Sequence, residues 1–231
     1  LFEADNFIAT PHLGASTLEA QEKVALQVAE QMADYLTTGA VTNAINMASV
    51  SAEEAPILKP YMTLGALLGR FLGQTDLPEL NTIKLEFDGR ASRLNEQPVL
   101  ASTLAGLLGV DMDSVNMVNA ASVASSKGIA VATVRHDRRC DYETLLRLTV
   151  SYGNNERSIS GTLVGGDMPR LVEVQGISVE SDFPQNMLYL RNYDKPGFIG
   201  MLGTLMGELG LNIATFHLGR NNRWPSGARL E

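Results

Sequence analysis

Cysteine is almost absent from this chain, because Cys140 is the single cysteine among 231 residues. One cysteine cannot form an internal disulfide, and it cannot by itself hold a structural zinc ion or an iron–sulfur cluster. The sequence therefore predicts no metal site. A chain with so little cysteine fits a reducing compartment, and the cytoplasm is the expected location.

Positive charge is also scarce. Lysine and arginine number 18 against 26 acidic residues, the formal net charge is −8, and no basic block occurs, so we expect no nucleic-acid partner. No apolar run approaches the roughly 20 residues of a membrane span, and no charged-then-apolar leader stands at the start. Residues 1–4 look like the end of an earlier helix and loop and contain no initiator methionine. We therefore expect a fragment of a longer protein.

The stretch with the clearest chemistry lies near the start of the chain. Residues 7–9 predict the end of a short buried strand, which Pro11 terminates. Ser16, followed three residues later by Glu19, predicts a capping box and the start of a helix. His12 between them is a candidate general acid/base, although a loop histidine can also simply pack locally. The stretch reads Thr10-Pro11-His12-Leu13-Gly14-Ala15-Ser16-Thr17.

Hydrophobic periodicity organises the rest of the chain. Apolar spacing predicts a helix over 17–38 that Gly39 ends, and a second helix around 64–71 with Pro60 in its first turn. Gly65 and Gly69 lie four apart on this second helix, which either permits close packing or is incidental. Residues 47–55 are predicted to be a linker. Further helices are predicted at 98–108, 119–127 and up to 209, and strands at 83–88, 115–118, 129–135, 142–152, 157–164, 171–176, 186–191 and 211–216, with a hairpin at 153–155.

The histidine stretch resembles the histidine loop of D-3-phosphoglycerate dehydrogenases, which are members of the D-2-hydroxyacid dehydrogenase family, and the resemblance continues to about Arg220. It implies that His12 exchanges a proton with the substrate while NAD exchanges a hydride. It also implies that Leu13, Gly14 and Ala15 lie beside the nicotinamide. The implied reaction is oxidation of 3-phospho-D-glycerate to 3-phosphohydroxypyruvate, a step of L-serine biosynthesis.

Residues 115–120 and 161–172 are similar to the intervening domain of the long form of these enzymes. That resemblance implies an anion site at a subunit contact, although the same arginines could form only a solvated basic face. Some bacterial L-serine dehydratases contain this domain too, but they hold an iron–sulfur cluster through several cysteines, which Cys140 alone cannot replace. The anion-binding candidates are Arg135, Arg138, Arg139 and Arg170.

Residues 184–220 resemble the first half of an ACT domain, a ferredoxin-like module that binds amino acids. The resemblance assigns L-serine binding to Asn192, Asp194 and Asn212, while the alternative is that they only cap and turn the chain. The turn before Phe198 leaves amides free at a helix N-terminus, which suits a carboxylate. Residues 221–231 follow neither period and resemble nothing in the family, so half of the module is expected to be missing.

The sequence therefore predicts an α+β protein: the end of a catalytic region at 1–46, a helix-linked intervening domain at 47–183, half of a ferredoxin-like ACT domain at 184–220 and an unrelated tail at 221–231. No Gly-x-Gly-x-x-Gly motif follows a strand, so this chain is expected to be inactive although the complete enzyme uses NAD. A homo-oligomer is expected, because the long first helix leaves an apolar stripe uncovered. The alternative function is an amino-acid-responsive regulatory and oligomerisation module without catalysis.

Overall fold

The structure is a computed structural model that describes residues 4–136, 141–193 and 195–220. It divides into two units, Leu1–Pro56 and Ile57–Glu231. The helices are α1 (Leu18–Thr38), α2 (Ala55–Gly73), α3 (Glu96–Leu108), α4 (Ala120–Ser126) and α5 (Phe198–Glu208), with a 3-10 turn at Arg90–Arg93. The strands are β1 (Thr82–Gly89), β2 (Ala130–His136), β3 (Thr144–Tyr152), β4 (Asn155–Val164), β5 (Met168–Val174) and β6 (Ile177–Ser181).

Helix α1 occupies the predicted residues and ends as predicted. Gly39 is left-handed, with a φ of 81°, and its N–H donates to the Tyr35 carbonyl. The N-cap is Thr17 rather than the predicted Ser16, since the Thr17 side chain accepts from the Ala20 N–H at 3.2 Å. Ser16 instead donates its hydroxyl to the Leu13 carbonyl oxygen at 2.9 Å. No residue of α1 is buried.

Helix α2 starts earlier than its apolar spacing predicted, and a capping box explains why. The Ser51 N–H donates to Glu54 Oε2 at 3.1 Å, and the Glu54 N–H donates to Ser51 Oγ at 3.2 Å. Pro60 therefore lies inside the helix and not in its first turn, where it removes one backbone hydrogen bond. The predicted linker, residues 47–55, overlaps the helix by one residue, because α2 begins at Ala55.

The six strands form one mixed sheet in the order β2-β1-β3-β4-β5-β6. Strands β1 and β2 are parallel, while the other neighbours are antiparallel. This confirms the α+β class. On one face the register aligns Leu85, Leu148, Ile159 and Val174, all of which are buried. Helix α2 lies against this face, because a Cβ on Gly161 would be 2.7 Å from Leu64 Cδ1.

The glycines of α2 do permit close packing. A Cβ on Gly69 would collide with the Thr103 carbonyl oxygen and would lie 2.8 Å from the Leu107 nitrogen. A Cβ on Gly65 would likewise collide with the hydroxyl of Thr103, and a Cβ on Gly106 of α3 would collide with the Ala66 carbonyl. The backbones of α2 and α3 are therefore in direct contact along a row of glycines.

The structure differs from the strand predictions at three places before residue 184. Residues 115–118 form a turn in which the Asn116 side chain accepts from the Val118 N–H and the Asn119 side chain accepts from the Asn116 N–H. Residues 7–9 form no strand. Strand β6 was not predicted, since the tight turn at Gln175 and Gly176, both with positive φ, separates it from β5 by only two residues.

The C-terminal segment, defined as residues 184–220, contains the predicted helix but neither predicted strand. Residues 186–191 and 211–216 have no strand pairing, so both strand predictions are wrong for this structure. Two short strands are marginal without a further sheet partner, which accounts for the difference. Helix α5 begins after Gly197, whose φ is 92°, and has no buried residue.

Candidate functional site

The histidine loop is a short turn that helix α1 closes. The Leu13 carbonyl oxygen accepts both the Ser16 hydroxyl and the Ser16 N–H, the latter at 3.3 Å. The φ of Gly14 is not positive, so glycine is not needed here for its backbone conformation. Its role is to let the His12 side chain come close, since a Cβ at Gly14 would lie 3.3 Å from His12 Nε2. The imidazole edge therefore lies against Gly14, in the exposed loop that precedes the helix.

The four predicted cofactor residues of this loop are all exposed: His12, Leu13, Gly14 and Ala15. A nicotinamide site has to enclose a planar ring and exclude water from it. One exposed turn supplies at most one wall of such a site. The loop as it stands in this chain therefore does not fit NAD by itself.

Of the predicted L-serine residues, Asn192 and Asn212 are exposed, and Asp194 lies outside the described residues. The Asn192 side chain donates to the Tyr193 carbonyl at 2.9 Å, which is a local turn contact. The first turn of α5 has no side-chain cap, so its amides are available to a ligand. Both the binding interpretation and the turn interpretation of these residues stay open.

The predicted anion-binding arginines are spread across the sheet. Arg135, on edge strand β2, donates from Nε to Glu96 Oε2 at 2.8 Å. Arg170 lies on β5 opposite Thr162, and three strands separate β5 from β2. The structure does not bring these two arginines together, and Arg138 and Arg139 lie outside the described residues.

A row of polar side chains that the sequence reading missed crosses the sheet face opposite the core. The register places Glu86, Arg147, Ser160 and Glu173 directly beside one another on β1, β3, β4 and β5. Arg147 donates to Ser160 Oγ at 3.1 Å and pairs with Glu173 at 3.3 Å. The signal that could have found this polar row is Arg147 itself, a charge in the middle of the apolar run Leu145–Val150.

Two further groups complete one end of the polar row. His136 Nε2 lies 3.0 Å from Glu86 Oε1, and Lys84 Nζ lies 3.3 Å from Glu86 Oε2. Burial raises the pKa of Glu86, but the hydrogen bond to His136 and the charge and hydrogen bond of Lys84 outweigh it. The pKa of Glu86 therefore lies below its ordinary value of 4.5, which indicates a structural ion pair rather than a proton donor.

The described part of the chain contains neither a metal-binding cluster nor a helix that could span a membrane. Among residues 4–136, 141–193 and 195–220, no group of three or more His, Cys, Asp or Glu side chains could hold a metal ion. Within the same residues, no helix combines the length and apolar character needed to span a membrane.

Comparison with known proteins defines the class of the sheet domain. Residues 57–175 match the family model described as the D-3-phosphoglycerate dehydrogenase intervening domain. That range starts in α2 and ends after β5, so it covers the α2–α3 contact and the first five strands.

Whole-chain relatives extend the match in both directions. A D-3-phosphoglycerate dehydrogenase of Synechocystis sp. is 34% identical over 222 residues, which is 95% of this chain and 40% of the relative. The protein of the same name from Bacillus subtilis is 30% identical over 94% of this chain and 41% of its own length. The one from Archaeoglobus fulgidus is 29% identical over 100% of this chain and 44% of its own length. The chain belongs to the D-3-phosphoglycerate dehydrogenase family, and it spans about two-fifths of the length of these curated relatives.

Proposed function

We propose that this chain is the C-terminal part of an NAD-dependent D-3-phosphoglycerate dehydrogenase that acts in L-serine biosynthesis, in the cytoplasm. The observation that carries the proposal is the continuity of the match. The relatives align with 94–100% of the chain, so one family accounts for the histidine loop, the intervening domain and the C-terminal segment together. The names of these relatives support the activity of the complete protein.

In the complete protein, His12 is the group that exchanges the proton of the substrate hydroxyl. It lies in a loop fixed by Ser16, which bonds twice to the Leu13 carbonyl, and an imidazole suits acid/base work near neutral pH. The chain alone is expected to be inactive, because the exposed loop cannot enclose a nicotinamide and no Gly-x-Gly-x-x-Gly motif is present.

The test compares the chain with the complete enzyme. The purified 231-residue chain should show no NAD binding by calorimetry and no NADH formation with 3-phosphoglycerate. In the complete enzyme, His12→Ala should lower kcat by roughly 100- to 10,000-fold, the usual contribution of a positioned acid/base group. NADH formation by the chain alone would contradict its proposed inactivity, and unchanged turnover in the variant would remove His12 from the mechanism.

L-Serine is the proposed effector of the complete enzyme, with Asn192, Asp194 and Asn212 as its ligands. Exposure of Asn192 and Asn212 and the uncapped start of α5 support this proposal. The chain itself should bind L-serine weakly or not at all, because the two strands predicted on either side of α5 are not formed. Saturable micromolar binding to the chain in calorimetry would contradict that expectation.

A second candidate function is an amino-acid-responsive regulatory and oligomerisation module. It is favoured by the location of the core, since the fully buried side chains lie in Ile57–Glu231 and none lies in α1. The compact core therefore lies outside the histidine loop and α1, in the unit that contains the intervening domain. Serine-dependent association of the chain, measured by sedimentation with and without L-serine, would support this candidate.

A further inference from the structure

The C-terminal segment meets the intervening domain at Tyr189. The Tyr189 ring packs edge-on against Phe71 in the last turn of α2, with ring centroids 5.3 Å apart and an interplanar angle of 62°. Tyr189 is 37% exposed, whereas Tyr193 in the same segment is 75% exposed. Tyr189, which packs on Phe71, is therefore less exposed than Tyr193, which lies in the same segment.

Arg157 fixes the helix end that carries Phe71. Its guanidinium on β4 donates to the carbonyl oxygen of Thr75, and also to the Thr75 hydroxyl at 3.1 Å. The Thr75 hydroxyl donates in turn to the Leu72 carbonyl at 2.7 Å. A cation at the C-terminal end of a helix is favourable, and Arg157 also stacks on Tyr152 with 5.6 Å between Cζ and the ring centre. The end of α2 is therefore tied to the sheet.

Tyr189 lies within electrostatic reach of the same arginine. Burial raises the pKa of Tyr189, and the charges of Arg191 and Arg157 act in the opposite direction. The Tyr189 phenol is thus partly desolvated, and its pKa lies above the ordinary value. The contact of Tyr189 that the geometry shows is the ring pair with Phe71.

The other end of the C-terminal segment also lies against the sheet. A Cβ on Gly219 would be 2.7 Å from Ile177 Cγ2 and 2.9 Å from the Ser178 carbonyl oxygen, so the chain passes directly along β6. Helix α5, between these two contacts, has no buried residue. The segment is therefore attached near both ends, with its helix exposed between them.

We propose that Phe71, on the helix end that Arg157 holds, is the docking site of Tyr189, and that this contact couples the effector residues of the C-terminal segment to the intervening domain. Asn192 follows Tyr189 by only three residues in the chain. A ligand that orders Asn192 therefore acts on a short stretch whose other end is held on α2. The proposal has two halves. The docking half, which is the contact of Tyr189 with α2, rests on these contacts alone. The coupling half, which links that contact to the effector residues, rests on the proposed function of the complete enzyme.

Docking is tested in the 231-residue chain by trypsin cleavage after Arg191. Tyr189→Ala should raise the cleavage rate by roughly three- to tenfold, the effect expected from losing one edge-to-face ring pair. Phe71→Leu, which alters the other ring, should raise it similarly. Tyr193→Ala is the matched control and should leave the rate unchanged. Equal rates in Tyr189→Ala and Tyr193→Ala would overturn the docking half.

Coupling is tested in the complete enzyme with the same pair of variants. Tyr189→Ala should raise the L-serine concentration for half-inhibition by about tenfold or more, which corresponds to the lower part of typical allosteric couplings, while calorimetry still detects serine binding and kcat without serine is unchanged. Inhibition that matches Tyr193→Ala would overturn the coupling half. An unmodified enzyme with no response to serine would overturn the proposed effector role and the coupling, and the trypsin result would still decide docking.

Discussion

Gly69 is the residue where the packing of the intervening domain depends most directly on a missing side chain. A Cβ there meets the Thr103 carbonyl oxygen and the Leu107 nitrogen, and backbone atoms cannot rotate away. We expect Gly69→Ala to lower the free energy of unfolding by about 1–3 kcal/mol, the usual cost of overpacking. Urea titration followed by circular dichroism measures this.

Gly203 provides the matched control, since it is also a helical glycine but a Cβ there has nothing within 4 Å. Alanine in an exposed helix is favoured over glycine by about 1 kcal/mol. Gly203→Ala should therefore leave the unfolding midpoint unchanged or raise it. Equal destabilisation by both substitutions would contradict the close α2–α3 contact.

Glu86 gives the polar row a pH dependence of defined sign. Its folded-state pKa lies below the ordinary value of 4.5, so the unfolded chain takes up the proton first as pH falls. The contribution of the carboxylate is fully present above about pH 4.5 and is lost as pH falls through the folded-state pKa. The stability difference between the protein and Glu86→Gln should therefore be larger at pH 6 than at pH 3.5.

Urea unfolding at the two pH values measures that difference, and Glu156→Gln is the control because Glu156 lies exposed on β4 of the same sheet. The control substitution should have little effect at either pH. If the effect of Glu86→Gln is the same at both pH values, the ion pair of Glu86 with Lys84 and its hydrogen bond with His136 make no net contribution.

At the scale of secondary-structure elements, the capping box before α2 is the feature to test. Glu54 and its neighbour Glu53 are both exposed, but Glu54 accepts the Ser51 N–H. We expect Glu54→Ala to lower the free energy of unfolding by about 1 kcal/mol, as for other lost caps. Glu53→Ala removes the same charge outside the box and should have a smaller effect. Similar losses in both variants would show that charge near the helix start, and not the box, stabilises α2.

The elements that the sequence predicted correctly are those that a local sequence pattern marks. Helix α1 and strand β1 were found because a terminal glycine and a strict alternation mark them. Residues 115–118 have the apolar character of a strand, but the side chains of Asn116 and Asn119 take their backbone donors. Strand pairing depends on a neighbour, so an alternating pattern such as 186–191 cannot reveal whether a partner is present.

In the candidate sites too, the sequence indicated residues that a local motif marks and did not indicate contacts between distant strands or segments. His12 stands out because proline and glycine frame it in the sequence. Arg147 signals a polar position within an apolar run, but its partners were not predictable, because Glu86 and Glu173 become neighbours of Arg147 and Ser160 only through the register of four strands. Docking of Tyr189 on Phe71 likewise joins residues that are distant in sequence and carry no shared pattern.

At the scale of the whole molecule, we expect self-association. Val28 and Met32 of α1 and Leu205 of α5 are exposed, and uncovered apolar patches of several hundred Å² commonly mark interfaces. Light scattering at tens of micromolar should show dimers or larger species. Val28→Asp combined with Leu205→Glu should reduce the measured mass. A monomeric unmodified chain at that concentration would contradict the expectation.

The strand order β2-β1-β3-β4-β5-β6 separates the sheet into parts that should assemble at different times. Strands β3 to β6 are sequential hairpins, whereas the parallel pair of β1 with β2 closes a long crossover through α3 and α4. Closing long loops is slow relative to forming hairpins. In stopped-flow refolding, Ile159→Val on β4 should slow folding, while Val131→Ala on β2 should mainly accelerate unfolding. The edge strand β2 would then be the last strand to join the sheet and the first to leave it.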